Sequence, residues 1–505
     1  MIPRLWHIMT TLMLMLKLRL SKSEASKQKV EKALAEKLAK GRGLPMKVGQ
    51  IMAGMDDNHA LQQLTQSVEP LPLDQVKKVL SQAWGKSLSE VLQGIDESHA
   101  AASLGQVHRA VLCSGETVAI KMQYPDIEKA IQAELSLAGM MPRGGPVKRW
   151  DFNLDAYKSS LKINMQQELN YLHEMKAQQR FGQQLDVQGL SVPKVFPQWC
   201  RSNVLVQAWV EGERLAQVAT SWSQLERLSI GKTLMQIMFQ SLFQHGLVHG
   251  DPHPGNYLYQ KAKQGALVHL LDYGCMVEVS KKQRMALLQL ILTSRGEMNI
   301  DPLEGFVAVG FDALKLQGIE KKLPALMQII FRPFILQHAL KLQDWHPAEE
   351  VDSLLGQQKW LFRAAGPADL FLLMRVFQGL VLQLKTLQTV LPWWPILEQS
   401  LHHDFLQEVK NTQIVKSVII PQFQGSASKL HVCIEQPNKA DVHFELPAGS
   451  ALDLASLIPS SAYGVITQQN IDIQAITEQL HQKGLHSSTL LDIYDGDKRY
   501  HIYLR

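Results

Sequence analysis

Along most of this chain apolar residues recur every three or four positions, the spacing of one buried helix face, and only a few stretches change to the alternation of strands. From Ser21 to Ala39, Ala, Leu, Lys and Glu predominate; this predicts a helix that stops at Gly41-Arg-Gly-Leu-Pro45. A second helical piece carries Lys47-Val-Gly-Gln50. Asp74 to Leu92 is predicted as a further helix, apolar at Val76, Val79, Leu80, Ala83, Leu88 and Val91 across an interruption at Trp84-Gly85. These helices precede the first predicted sheet.

Val107 to Leu112 and Thr117 to Lys121 are strand-like runs joined by Cys113-Ser-Gly-Glu116, a hairpin turn. A helix is expected from Asp126 to Met140, ended by Pro142-Arg-Gly-Gly-Pro146, and a long one from Asp155 to Phe181 bearing Glu168 and Glu174. Val192 to Val210 reads as two strands. Ser223 to His245 returns to helical spacing, a loop follows from His249 to Asn256, and strands are expected around Tyr257 and over Val268 to Leu271. Residues 281 to 415 are almost all helical; Leu370 to Leu384 is the most apolar part, but Arg375, Gln378 and Gln383 interrupt it, so it reads as a buried core helix and not a membrane span. Past Gly425-Ser-Ala-Ser428, strands at Leu430–Ile434, Val442–Leu446 and Tyr500–Leu504 alternate with short helices, and Asp495-Gly-Asp497 fits a hairpin turn better than a calcium loop.

Composition adds little to this except at the amino terminus. The 505 residues are a length for about three domains, and 46% apolar with 20% charged content excludes a disulfide scaffold, a collagen and a disordered chain. The four cysteines are widely spaced without a C-x-x-C pair, so a reducing, cytosol-facing compartment is expected. Residues 1 to 50 hold eleven Lys or Arg against three Glu, whereas the whole chain is only +5. With the apolar Leu5 to Leu16 run, which is too short to span a bilayer and lacks a signal-peptide cleavage site, this basic end is expected to act as an interfacial anchor; a solvated amphipathic helix is the plainer alternative.

The sharpest chemical signal is His249-Gly-Asp251-Pro-His-Pro-Gly-Asn256, followed by Leu270-Leu-Asp272-Tyr-Gly274. Nucleotide phosphoryl chemistry needs an acceptor near the attacking hydroxyl and oxygen ligands for Mg²⁺. Asp251 and Asn256 have the spacing of a kinase catalytic loop, and Asp272-Tyr-Gly stands where D-F-G would. Two prolines and a glycine restrict that loop. Val118-Ala-Ile-Lys121 fits the strand-borne lysine that holds nucleotide phosphates. Its glutamate partner is either Glu168 or Glu174; six positions apart on one continuous helix, they point about 120° away from each other, so only one is expected to reach it. The usual G-x-G-x-x-G loop is missing: His99-Ala-Ala-Ala-Ser-Leu-Gly105 stands there, and alanine keeps backbone amides further from phosphate than glycine does. No A-P-E element follows Asp272-Tyr-Gly274, which argues against an ordinary protein kinase.

Taken with Lys47-Val-Gly-Gln50, Ala100-Ala-Ala-Ser103, Gly105-Gln-Val-His-Arg109 and Glu168-Leu-Asn-Tyr171, these motifs resemble the UbiB/AarF family of atypical kinase-like proteins. The resemblance implies an α+β, protein-kinase-like bilobal fold with an N-terminal helical extension (residues 1–94), an N-lobe (95–214), a helical C-lobe (215–424) and, outside the resemblance, a small C-terminal α+β module (429–505). It implies ATP and Mg²⁺ as cofactors, with Lys121 and Glu174 paired, Asp251 in the catalytic-base position, and Asn256 and Asp272 on the metal. Ala101, Ala102, Ser103, Glu168, Lys47 and Gln50 would complete the nucleotide site, the last two reaching in from the extension. Asn170 departs from the family's E-x-D pattern, which has an aspartate there. The implied function is ATPase or small-molecule phosphotransferase activity in ubiquinone or isoprenoid lipid metabolism, by a cytoplasmic protein peripheral to the inner face of a membrane. The alternative is a nucleotide-gated lipid-binding scaffold without phosphotransfer. A small-molecule or lipid substrate, and a protein partner for the C-terminal module, are expected; nucleic acid is not.

Overall fold

Residues 70–101, 104–129, 131–132, 162–163, 165–263, 265–414, 427–436, 442–458, 465–466, 471–495 and 498–505 are described by a computed structural model. The expected anchor and first two helices, with Lys47, Gln50, Ala102 and Ser103, lie outside these residues. The chain divides into two compact units, Met1–Ile414 and Val415–Arg505.

In the first unit an antiparallel sheet has the order β1-β2-β3-β5, from strands β1 (Leu92–Ala101), β2 (Gly105–Leu112), β3 (Thr117–Gln123) and β5 (Val204–Ala208). Val118, Ile120 and Met122 alternate inward on β3, while the buried face of β2 is Gln106, His108, Ala110 and Leu112; Gly115 at φ 96° supplies the left-handed turn residue of the hairpin. Helix α1 (Leu73–Trp84) lays Val76, Leu80 and Trp84 on the sheet face formed by Leu112, Val118, Ile120 and Val206. This core leaves Lys121 on the opposite face of β3.

Three local expectations fail for identifiable reasons. Helix α1 stops at Trp84, not Leu92, because Gly85 adopts the left-handed C-cap conformation at φ 65°. Leu92 instead opens β1, whose polar Gln93–Glu97 run and register shifts at Leu92/Gly94 and Ile95/Ser98 conceal the strand period. The first of the two strands expected between Val192 and Val210 shrinks to a single bridge, Val195 to Gln207, between Pro193 and Pro197, which have no N–H to donate; a short β4 (Leu190–Ser191) pairs parallel with β8 (Ala266–Leu270) instead. Finally, the long helix through Phe181 breaks at Asn170, which is extended (φ −122°, ψ 97°) and accepts a hydrogen bond from the Leu172 N–H. Asn170 thus caps a new helix, α2 (Tyr171–Gln184).

The second half of this unit is mostly helical. Helix α3 (Gln224–Phe239) runs into a π-helical turn at Gln240–His245, and Gly246 at φ 67° delivers the chain to β6 (Leu247–His249). Strand β6 pairs with β9 (Met276–Glu278), and β7 (Tyr257–Lys261) with β8, so both conserve a rigid frame on either side of the Asp251 loop. The Leu370–Leu384 stretch lies in helix α4 (Ala368–Thr386), where Leu373, Val376, Leu380 and Leu384 are buried as expected. Among the described residues no single helix is long and apolar enough to cross a membrane.

The second unit is a four-stranded antiparallel sheet of order β11-β10-β13-β12, from β10 (Lys429–Glu435), β11 (Val442–Pro447), β12 (Ser488–Asp495) and β13 (Lys498–Leu504). Leu430, Val432, Tyr500, Ile502 and Leu504 form a core with Leu480 of helix α5 (Ile473–Lys483). Asp495 pairs with Lys498 across β12 and β13, and Gly496 and Asp497 of the expected turn lie outside the described residues.

Candidate active site

Val118, Ile120 and Met122 are buried on one face of β3, so the two-residue strand period turns Lys121 to the other. There its ammonium contacts both oxygens of Glu174 (2.8 and 3.0 Å) and Oδ2 of Asp272 (2.8 Å), and lies 4.9 Å from the ring centre of Tyr171. Glu174 sits in the first turn of α2, whose start Asn170 fixes, and only 1% of it is exposed. The Tyr273 N–H donates to Glu174 Oε1 at 3.3 Å, and the Gly274 N–H to Asp272 Oδ1 at 2.9 Å.

Two carboxylates around one ammonium leave a local excess of negative charge. Burial raises the Glu174 carboxyl and Asp272 raises it further; against the pull of Lys121 it is pushed up to about 7. Burial disfavours the charged ammonium of Lys121, but Asp272 and Glu174 outweigh it and hold the group well above its usual range. The cluster therefore favours an added cation near Asp272.

The break at Asn170 also changes what Glu168 can do. A side chain on Gly274 would meet Asp272 Oδ1 at 3.2 Å, Glu168 Cγ at 3.4 Å and Glu174 Oε2 at 3.5 Å, so both glutamates converge on the Asp272-Tyr-Gly turn. The 120° separation expected of a continuous helix does not apply, because the backbone is reoriented between them. Of the two glutamates, it is Glu174 whose carboxylate pairs with Lys121, at 2.8 Å.

Opposite this cluster, Asn256 Nδ2 donates to the Asp251 carboxylate at 3.1 Å and to its carbonyl at 3.2 Å. The loop is tied to the metal-side turn twice: the Leu271 N–H donates to the Asn256 carbonyl at 3.0 Å, and His249 Nε2 to the Asp272 carbonyl. Asp251 and Asp272 are thus held by one hydrogen-bonded frame. The Asn256 amide oxygen and the Asp272 carboxylate are hard ligands of the kind Mg²⁺ takes, so this donor set fits the ion. Ala101 ends β1, and its side chain is not among those described.

A residue unassigned by the motifs completes the site. Arg375 of α4 donates to Asp251 Oδ1 at 2.7 Å, with 9% and 14% of the two side chains exposed. The signal was an arginine inside the most apolar helix, which must have a partner if buried. Helix α4 approaches the loop so closely that a Cβ on Gly379 would lie 2.2 Å from Pro252 Cβ. Gly379→Ala is therefore expected to lose about 1–3 kcal/mol by overpacking, beyond the gain of about 1 kcal/mol from helix propensity. Urea unfolding checks this; a variant more stable than the parent would show that α4 does not abut the loop.

Residues 63–297 match the family model of the ABC1 atypical kinase-like domain. The chain is 27% identical over 250 residues to the atypical kinase COQ8, mitochondrial, of Saccharomyces cerevisiae, covering 48% of this chain and 49% of that protein. It is 27% identical over 281 residues to AarF domain-containing kinase 1 of Drosophila melanogaster (52% and 53% covered), and 29% over 279 residues to the ABC1 family protein C10F6.14c of Schizosaccharomyces pombe (52% of each). The matches to these relatives span about half of their length. In structure the chain is similar to Rv3197 of Mycobacterium tuberculosis, solved in complex with erythromycin, at TM-score 0.50 and 24% identity over 75% of this chain and 98% of that one. With the match of residues 63–297 to a kinase-like domain model, the fold is protein-kinase-like.

Proposed function

Because residues 63–297 are an ABC1 atypical kinase-like domain of the UbiB/AarF type, we propose that this protein binds ATP with Mg²⁺ and turns it over as an ATPase or small-molecule phosphotransferase. The observation that carries this reading is Lys121 held between Glu174 and Asp272, at 2.8 Å from each. Asp272 and Asn256 would hold Mg²⁺, which when bound would supply neutralisation of phosphate charge, and Lys121 would turn from Asp272 to the α- and β-phosphates with Glu174 keeping it oriented. Asp251 accepts the proton of the attacking hydroxyl or water. Glu168, Ala101, Ala102, Ser103, Lys47 and Gln50 complete the nucleotide site in this proposal. By its resemblance, the role extends to ubiquinone or isoprenoid lipid metabolism, with the basic amino terminus as peripheral membrane contact and the second unit as a partner-binding module.

One observation favours a second reading. Arg375 on Asp251 neutralises the carboxylate that must act as base. A nucleotide-gated scaffold would bind MgATP at the same residues and transfer nothing. A labelled-phosphate assay separates the two: release of inorganic phosphate or a phosphorylated product supports turnover, whereas MgATP binding with neither favours the scaffold.

The site itself is tested by thermal-shift titration with ATP and ADP, with and without Mg²⁺, on the parent and on Lys121→Ala. Stabilisation that needs both metal and Lys121 is expected, about 2.7 kcal/mol at a hundred times Kd. No shift with MgATP or MgADP would overturn the nucleotide assignment.

A further inference from the structure

The second unit carries a cluster that the nucleotide chemistry does not use. Strand alternation sends Leu430 and Val432 of β10 into its core and His431 to the opposite face. In the register of β10 and β11, His431 stands directly across from Glu445, and His443 lies two residues before Glu445 on the same face. His431 Nδ1 is 3.0 Å from His443 Nε2 and 4.0 Å from Glu445 Oε1, and one ligand atom from each of the three lies within 4.8 Å of the other two.

We propose that His431, His443 and Glu445 bind a borderline divalent transition-metal ion of the zinc type, with solvent in the remaining position. Two imidazole nitrogens on a tetrahedral ion with bonds of about 2.0–2.1 Å are about 3.3 Å apart, close to the 3.0 Å between His431 Nδ1 and His443 Nε2. The ligand types also select the ion: nitrogen donors suit zinc, nickel or copper, whereas Mg²⁺ prefers oxygen and remains with Asp272.

The packing divides the site into a fixed ligand and two adjustable ones. His431 is buried, and its ring lies flat against Tyr503 (centres 4.8 Å apart, planes 8° apart), which fixes its orientation. His443 and Glu445 are exposed on β11, the edge strand, so closing Glu445 inward takes a rotamer change and no backbone movement. Lys429 hydrogen-bonds Glu445 Oε2, holding the carboxylate by that oxygen and leaving Oε1 on the His431 side. On binding, metal coordination replaces the hydrogen bond between the rings. Ligation through Nδ1 of His431 and Nε2 of His443 requires each ring to carry its proton on the far nitrogen.

The test is equilibrium competition for Zn²⁺ against a chromophoric chelator, using the untagged full chain in excess Mg²⁺ so that the oxygen-ligand site is filled. One equivalent of Zn²⁺ bound per chain is expected. His443→Ala and Glu445→Gln, both exposed substitutions outside the core, are each expected to weaken it about tenfold or more, and His403→Ala, an exposed histidine of the first unit, to leave it unchanged. Far-UV circular dichroism of the variants shows whether the sheet is retained. No competition by the parent would mean that the three residues are only a hydrogen-bonded ring stack, and the proposal fails. It fails equally if His443→Ala and Glu445→Gln, folded, bind Zn²⁺ like the parent.

Discussion

Asp272→Asn is expected to weaken Mg-nucleotide binding by a factor on the order of ten to a hundred while leaving the folded protein intact. The loss follows from replacing one carboxylate ligand of a hard cation by a neutral amide. The intact fold follows from the charge balance around Lys121. Without nucleotide, that ammonium faces two carboxylates, and the charge on Asp272 is one of the causes that push Glu174 up to about 7. Removing this charge relieves the repulsion and leaves the Lys121–Glu174 pair, with its contacts of 2.8 and 3.0 Å, in place. Urea unfolding of the nucleotide-free variant should therefore fall within about 1 kcal/mol of the parent, well short of the loss that follows when a buried charge is left without a partner. Its thermal shift with MgATP should nearly vanish. A shift equal to the parent's would remove Asp272 from the metal site.

Arg375→Ala acts on the other carboxylate and in the opposite sense on stability. Asp251 and Arg375 are both largely buried, and truncating the arginine strands the carboxylate in a loop whose prolines do not let it swing out to water. A loss of about 2–4 kcal/mol is expected, toward the lower part of the range for broken buried pairs because Asn256 still donates to Asp251 at 3.1 Å. Arg375→Lys, which restores the charge without the planar fork, should recover part of it. The activity of this pair decides between the two functional readings. If Arg375 restrains the base by its charge, Arg375→Gln, which keeps a hydrogen-bond donor and removes the charge, raises phosphate release relative to the parent at equal MgATP occupancy. If Arg375 positions Asp251 for chemistry, the same variant lowers it. Stability of Arg375→Ala unchanged from the parent would show that the ion pair carries none of the loop's order.

These two carboxylates were legible in the sequence to different depths. Asp272, Asp251, Asn256 and Lys121 stand in short contiguous motifs whose spacing reflects local geometry: a strand end, a proline-restricted loop, an Asp-x-Gly turn. Their identity as a set needed no tertiary information. Arg375 had no such marker, because it reaches Asp251 from 124 positions away on a helix whose apolar pattern reports only that it is buried.

What the sequence determined by itself was whatever depends on neighbours within a few residues: the β2–β3 hairpin with Gly115 in its turn, the helix from Gln224, the apolar core helix from Ala368, and the short motifs that carry Asp251 and Asp272. The tertiary structure decided the rest. Strand β1 exists because β2 offers it partners, although its own polar, bulged sequence lacks the strand period. Asn170, a plain polar residue in a helical pattern, becomes a cap and turns Glu168 and Glu174 toward the same glycine. Arg375 meets Asp251 only after elements 124 positions apart are packed together, and His431 meets Glu445 only once β10 and β11 are paired in register. Backbone preference is a local energy that sequence period reports, whereas pairing and burial are properties of surfaces that exist only once the chain is folded.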